Sequence, residues 1–143
     1  MTTESLTAVD AQLQASVQQF YARHMQLLDD GRIEEWASYF TPDGTFAVDG
    51  IPVPARGREE IVAGASRTVA QLAEQGIMRR HWLGMSAISP ANGSVRVRSY
   101  ALVVQITKEG AAVRSSTTCE DVLVADGDAW LIQERLVKQD VPA

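Results

Sequence analysis

Two histidines are the residues of this chain best suited to chemistry, because a histidine can take and return a proton near neutral pH. His81 lies in the segment MRRHWLG at residues 78–84, and His24 lies on the apolar stripe of the first predicted helix. Asp29 and Asp30 end that helix, where a carboxylate beside an apolar face can be half buried and perturbed in acidity. These residues predict acid–base chemistry with His81 as the first candidate. Two aspartates before a glycine are equally typical of a plain cap and turn.

Tyr21 and His24 lie one to two helical turns before Asp29. The Tyr21 phenol could donate a proton to a developing enolate or a leaving oxygen, which makes it a candidate catalytic residue. A core tyrosine with its hydroxyl at the rim is an equal interpretation. His24 could bind substrate or act as a second acid, although a histidine at a helix edge is more often structural. His81 also has a structural alternative, bonded to a backbone carbonyl or exposed beside two arginines.

The sequence carries no metal or cofactor signature. The two histidines are far apart, neither HxH nor HxxxH occurs, and the acidic residues are scattered. A glycine-rich phosphate loop and a dinucleotide fingerprint are both missing. We therefore expect a site that works without a metal or a cofactor.

Composition limits the kinds of partner and the location. The 143 residues predict a single domain over residues 1–143. A net charge of −5 argues against nucleic acid as a partner. The sequence has no apolar run of transmembrane length and no signal sequence at its start, which predicts a cytoplasmic protein that does not bind membranes. The single cysteine, Cys119, fits that compartment and suits a small apolar filler, since no cations flank it.

Apolar spacing predicts three helices in the first half of the chain. The first runs over residues 6–28, and a break at residues 29–31 separates it from a short second helix that carries Ile33, Trp36 and Phe40. Residues 41–44 are predicted as a turn, residues 45–49 as a strand and residues 50–54 as a loop. A third helix opens at residue 57 and stops near Gly76. Its predicted inner face consists of Ile61, Ala65, Val69 and Leu72.

From residue 77 the apolar period changes to two, which predicts four strands. Their ranges are residues 77–88, 94–107, 113–125 and 129–138, with turns at 89–93, 108–110 and 126–128. Short turns between consecutive strands predict an antiparallel meander. Helices followed by such a sheet give an α+β fold, with the helices on one face and a cavity between the sheet and the first helix.

This order of elements resembles the nuclear-transport-factor-2-like (SnoaL-like) family over nearly the whole chain. The residues that carry the resemblance are LLDDGRIEEWASYF at 27–40, GREEI at 57–61, Arg80-His81 and Trp130 after the turn at 126–128. The resemblance implies a cone-shaped curved antiparallel sheet, three N-terminal helices that enclose a pocket, and a homodimer formed through the outer face of the sheet. The fold hosts dehydratases, isomerases, cyclases, epoxide hydrolases and proteins without chemistry.

Within that family, Asp29 and His81 look like the Asp–His dyad of scytalone-dehydratase-like and dehydrochlorinase-like enzymes. The resemblance implies that His81 removes a proton next to a carbonyl, while Asp29 fixes the ring tautomer and stabilises the imidazolium. Asp30 takes the role of Asp29 in the dyad if the alignment with the family is shifted by one residue. The second histidine of the scytalone enzyme corresponds to Gln105 here, and its first-strand tyrosine falls near Val48. The full mechanism of these relatives therefore cannot be assigned to this chain.

Side chains alternate between the two faces of a strand, which predicts two possible sets of polar groups in the pocket. One parity makes Gln105, Thr117 and Asp121 its substrate-binding side chains. Trp82, beside His81, is a further candidate, although the three tryptophans are also typical of a core or a dimer face. The opposite parity would instead present Tyr100, Arg114, Thr118 and Glu120.

The leading hypothesis is a cofactor-independent dehydratase (lyase) acting on a carbonyl-bearing apolar metabolite such as a polyketide intermediate. The same residues could serve an isomerase or a cyclase, including a cyclase that opens an epoxide. Residues 20–36 also resemble the small subunits of ring-hydroxylating dioxygenases, which predicts a non-catalytic partner of a larger subunit. A ligand carrier without chemistry is the third hypothesis.

Overall fold

The computed structural model describes residues 9–143, which form three helices and six strands. Asp10 caps the first helix by accepting a hydrogen bond from the Leu13 backbone N–H at 2.7 Å. The predicted start of that helix at residue 6 lies outside the described residues. The helices are α1 (Ala11–Asp29), α2 (Ile33–Ala37) and α3 (Arg58–Glu74). The strands are β1 (Phe40–Val48), β2 (Ala55–Arg56), β3 (Met78–Ala91), β4 (Ser94–Thr107), β5 (Gly110–Asp126) and β6 (Ala129–Gln139).

The strands form one curved, open sheet in the order β2-β1-β6-β5-β4-β3. β3, β4 and β5 each pair antiparallel with the next strand along the chain, which confirms the predicted meander. β1 pairs with β6 in parallel, a contact that the apolar pattern did not indicate. The predicted α+β class with a curved sheet and helices in the N-terminal half is confirmed.

Two segments predicted as turns lie inside strands. Residues 41–44 continue β1, where the ladder to β6 shifts register between Phe40 and Thr45. The turn-forming residues therefore make a bulge in the strand. Residues 89–91 extend β3 beyond its predicted end. Pro90 is tolerated there because β3 is the edge strand, so a missing N–H leaves no partner unsatisfied on its outer side.

The core lies between α1, α2 and the inner face of the sheet, and the predicted stripe of α1 is buried in it. Val17, Trp36, Phe40, Leu123 and Ile132 are almost completely buried. The Trp36 and Phe40 rings meet edge to face, with centroids 5.3 Å apart. This packing holds α2 against the start of β1.

The inner face of α3 is buried much less than predicted. Of its four predicted residues only Ile61 is fully buried, and Val69 is exposed. All four nevertheless border a cavity between α3 and the sheet, namely Ile61, Ala65, Val69 and Leu72. The apolar stripe of α3 therefore forms a wall of that cavity instead of packing directly on the sheet.

No helix within residues 9–143 is long and apolar enough to cross a membrane. The cytoplasmic location and the homodimer stay predictions. Trp82, Tyr100 and Val113 are exposed on the outer face of the sheet, where the dimer contact is predicted.

Gly31 is the residue whose conformation turns the chain from α1 into α2. Its φ is +79°, and an added Cβ would meet no atom within 4 Å, so its constraint is conformational alone. We expect Gly31→Ala to lower the free energy of unfolding by about 1 kcal/mol, because a left-handed conformation costs an L residue roughly 1–2 kcal/mol. Chemical denaturation measures the change.

Gly64→Ala is the matched control for that substitution. Gly64 lies inside α3, and its added methyl meets only the end of the Arg67 side chain, at 3.9 Å. Alanine is the better helix former, so this variant should be unchanged or more stable. Equal losses in both variants would contradict the role given to Gly31.

Candidate functional site

A cavity of about 870 Å³ lies between α3 and the concave face of the sheet, and the end of α1 borders it. This volume lies within the range of pockets that hold drug-sized ligands. Most of the lining is apolar and includes Met25, Leu28, Phe46, Ile77 and Val103. The charged or ionisable side chains of the lining are Asp29, Glu60, Arg67, Arg79, His81, Cys119 and Arg135.

Asp29 and His81 meet at the wall of this cavity. Asp29 Oδ1 lies 2.6 Å from His81 Nδ1, and Oδ2 accepts the His81 backbone N–H at 3.0 Å. The Asp29 side chain is 5% exposed, whereas the His81 side chain is 26% exposed. Because a carboxylate only accepts, the neutral ring carries its hydrogen on Nδ1 and its lone pair on Nε2. The geometry therefore leaves Nε2 available as a base.

Local structure explains why these two residues meet. Asp29 is the last residue of α1, and the chain turns away at Asp30 and Gly31. His81 lies near the start of the edge strand β3, opposite Val103. Asp30, the alternative partner if the register differed by one, faces solvent. The structure thus selects Asp29 as the residue that contacts His81.

Arg135 is a second polar feature of the cavity, and the sequence-based prediction missed it. Its Nε and Nη2 donate to the two carboxylate oxygens of Asp121, both at 2.9 Å. Tyr21 donates its phenolic hydrogen to Asp121 Oδ2 at 2.8 Å. The guanidinium also lies over the Phe40 ring, 5.6 Å from its centroid. The carboxylate and the tyrosine therefore hold a buried cation in one orientation at the cavity wall.

Burial and this ion pair perturb the neighbouring groups. Burial lowers the pKa of Arg135, but the Asp121 carboxylate more than offsets it, so that pKa lies above its ordinary value. Burial and the same carboxylate raise the pKa of Tyr21 far above its ordinary value. Burial raises the pKa of Cys119 to about 12. Arg135 is thus a permanent positive charge, while Tyr21 and Cys119 stay protonated.

Three of the predicted site residues are buried in the interior and do not line the cavity. Tyr21 and Asp121 do not line the cavity, because each is buried and bound to the other behind Arg135. The structure thus contradicts Tyr21 as an acid facing substrate and Asp121 as a substrate-binding group. His24 is also buried in the core, stacked between Phe20 and Trp36.

His24 makes a structural hydrogen bond there. Its Nε2 lies 2.9 Å from the Trp36 carbonyl oxygen, so Nε2 carries the hydrogen and donates. Burial lowers its pKa well below the ordinary value, and the positive charge of Arg135 adds to this shift. His24 is a neutral core residue, so its prediction as a substrate-binding residue is wrong.

The strand residues divide between the two faces. Thr117 lines the cavity as predicted, but its hydroxyl donates to the Ala101 carbonyl at 2.8 Å. Trp82 is 69% exposed on the outer face, opposite in parity to His81, so the prediction that it binds substrate is wrong. Gln105 does not line the cavity either. Gln105 pairs with Arg79 across an unbroken stretch of the β3–β4 ladder, so its parity is that of the cavity wall, but it lies outside the lining.

A bulge also hid Arg135 from the sequence pattern. Along β6, Ile132 is buried and regular alternation would next turn Glu134 inward and Arg135 outward. The ladder to β5 instead shifts register between the pairs at Ile132 and Glu134, which turns Arg135 inward. A lone arginine followed by two apolar residues was the available signal. No group of three metal-ligating side chains converges anywhere in residues 9–143.

Comparison with known proteins places the chain among similar domains. A family model described as SnoaL-like domain matches residues 9–136. A structure from Catenulispora acidiphila in complex with S-DNPA is 40% identical, with a TM-score of 0.79 over 92% of this chain and 96% of that one. ActVI-ORFA from Streptomyces coelicolor is 31% identical, with a TM-score of 0.85 over 94% of this chain and 99% of that one.

A more distant structure shares the fold alone. It is the beta subunit of a putative aromatic-ring-hydroxylating dioxygenase from Novosphingobium aromaticivorans, 22% identical with a TM-score of 0.69, over 91% of this chain and 90% of that one. Comparison with curated proteins gives no match.

The carboxylate of Asp29 should control the tautomer of His81. In Asp29→Asn the amide can donate as well as accept, so we expect the fraction of neutral His81 with its hydrogen on Nδ1 to fall. Nitrogen NMR of the ring, recorded at alkaline pH, measures that fraction. Asp30→Asn is the matched control, because Asp30 is adjacent, exposed and not in contact with the ring. Equal shifts in both variants would contradict the contact.

Loss of the Asp121 charge should strongly destabilise the fold. Asp121→Asn leaves Arg135 buried without its counter-charge, so we expect the free energy of unfolding to fall by about 3–5 kcal/mol. Glu120→Gln removes a neighbouring carboxylate whose pair with Lys138 is exposed, so its loss should be below about 1 kcal/mol. Urea denaturation of the two variants compares them, and similar losses would argue against the buried pair.

Proposed function

We propose that this chain, which belongs to the SnoaL-like family, is a cofactor-independent dehydratase of a carbonyl-bearing apolar metabolite such as a polyketide intermediate. The observation that carries the proposal is the 2.6 Å contact of Asp29 with His81 at the wall of a mainly apolar cavity. The family includes polyketide cyclases and dehydratases as well as the beta subunits of ring-hydroxylating dioxygenases. Membership of the family therefore does not identify the reaction, which has to be inferred from the residues of the site.

His81 acts first as a base and then as an acid in this scheme. Its Nε2 removes a proton from the carbon next to the substrate carbonyl, which forms an enolate and an imidazolium beside Asp29. The enolate re-forms the carbonyl and expels the hydroxyl group of the next carbon, while the imidazolium returns its proton to the departing oxygen. The products are an α,β-unsaturated carbonyl compound and water. His81 ends the cycle neutral.

The surroundings favour the charged intermediates of that scheme. Asp29 stabilises the imidazolium through the Nδ1 hydrogen bond, as the carboxylate of a hydrolytic triad does. Arg135 is a fixed positive charge on the cavity wall, which supports it as the group that stabilises the enolate oxygen. Apolar walls displace water, and charges interact more strongly where water is excluded.

The same base could also begin an isomerisation or a cyclisation. Return of the proton to another carbon gives an isomer, and attack of the enolate on an internal electrophile, such as an epoxide, gives a ring. Mass spectrometry separates these outcomes, since only dehydration removes a water molecule. A carrier or a dioxygenase small subunit would need no base at all, so turnover by the isolated chain would exclude both.

Replacement of the dyad should remove activity while leaving the fold. We expect His81→Asn to lower kcat on a β-hydroxy carbonyl polyketide intermediate by about 10²–10⁴-fold, the usual contribution of a general base. Asp29→Asn should lower it by about 10²-fold or more, because the wrong tautomer is then populated. Product formation in deuterated water, followed by mass spectrometry, measures dehydration and exchange of the acidic proton together.

Asp30→Asn serves again as the control and should keep full activity. If the purified wild-type chain binds such compounds but neither exchanges the proton nor forms product, it is a carrier. If His81→Asn retains activity, another base operates and the proposed mechanism is wrong.

A further inference from the structure

Arg79 is a cavity-lining cation that has no partner of its own. Its Nε is buried and makes no hydrogen bond to any described residue. None of the ion pairs formed within residues 9–143 includes it. Arg135, the other arginine of the sheet that lines the cavity, is by contrast paired with Asp121 through two hydrogen bonds. Of the two arginines that the sheet contributes to the cavity lining, Arg135 therefore has a counter-charge and Arg79 has none.

The groups around Arg79 add positive charge to this end of the cavity. Burial is the main cause that lowers the pKa of Arg79, and the nearby positive charge of Arg114 lowers it further. Gln105, its neighbour across the β3–β4 ladder, carries no charge. Arg67 lines the same cavity from α3.

The two acidic side chains of the lining are engaged elsewhere. Asp29 binds His81 through both oxygens. Glu60 accepts the Arg56 backbone N–H at 3.0 Å, at the start of α3. No described carboxylate is therefore placed to neutralise Arg79.

We propose that Arg79 binds a carboxylate group of the substrate. A partly buried guanidinium without a counter-charge is unfavourable, and a carboxylate matches its forked donors with two parallel hydrogen bonds. The inference rests on the proposed function, which it deepens by naming the substrate class: an apolar carbonyl compound that also carries an acid group.

The position of Arg79 relates that acid group to the reacting carbon. Arg79 and His81 are two residues apart on β3 and both line the cavity, so their Cα atoms lie roughly 7 Å apart on one face of the sheet. When Arg79 binds the carboxylate, the rest of the ligand therefore lies beside His81. The acid group and the carbon that loses the proton should accordingly be separated by several bonds.

Two probes of nearly equal shape test the proposal without turnover. Isothermal titration calorimetry compares 1-naphthaleneacetate with 1-naphthaleneacetamide, which differ in charge while their apolar parts are the same. We expect the wild-type chain to bind the acid at least fivefold more tightly than the amide. Arg79→Met should reduce that ratio to near one, mainly by weakening the acid. Arg79→Gln provides the same test if the methionine variant fails to fold.

Arg80→Met is the matched control, because Arg80 is adjacent, exposed and outside the cavity lining, and its loss changes the net charge equally. It should keep the preference for the acid. A wild-type chain that binds the acid no better than the amide would overturn the proposal. So would a preference that survives the loss of Arg79 or disappears equally with Arg80.

Failure of the carboxylate site and failure of the dehydratase proposal give different results. If the chain prefers the acid through Arg79 but never turns over a substrate, the carboxylate site is supported and the dehydratase proposal is wrong. If the chain dehydrates neutral substrates and does not prefer those with an acid group, the dehydratase proposal is supported and the carboxylate site is wrong.

Discussion

The two-point attachment of Asp29 to His81 is the contact on which the arrangement of this molecule depends. One carboxylate oxygen binds the imidazole, and the other binds the backbone N–H of the same residue on edge strand β3. The end of α1 is thereby fixed to the rim of the sheet, and the ring is oriented toward the cavity. The position of the base at the cavity wall and the orientation of its ring thus depend on a single carboxylate.

Charge in the cavity is divided between groups that stabilise the fold and groups left available. Arg135 is held by Asp121, which also accepts from Tyr21, so that this buried charge is neutralised and oriented. Arg79 lies on the same concave face without such a partner. A partly buried cation is favoured by a counter-charge, and where the protein supplies none a ligand can supply it. This contrast distinguishes an arginine whose charge the fold compensates from one whose charge is left for an anionic group of a ligand.

This division is possible because the helices cover only part of the concave face of the curved sheet and leave a cavity over the rest. α1 and α2 pack directly on one part of the concave face, whereas the apolar stripe of α3 stands off and forms a wall. The fold by itself does not specify a reaction. Chemistry depends on the few polar groups that project into the remaining space, and here these are chiefly one histidine and two arginines.

Local patterns in the sequence, together with the family resemblance, were enough to predict the helices, most of the strands and the candidate base. Period and turn residues predicted the helices and the meander, because these signals are local, and the family resemblance paired Asp29 with His81. Only the tertiary structure showed that Tyr21, His24 and Asp121 are buried partners of other groups. A bulge in β6 reset its alternation, so Arg135 was missed, whereas Gln105 has the predicted parity but lies outside the cavity lining. Register is a property of paired strands, and one strand's pattern cannot reveal where its ladder slips.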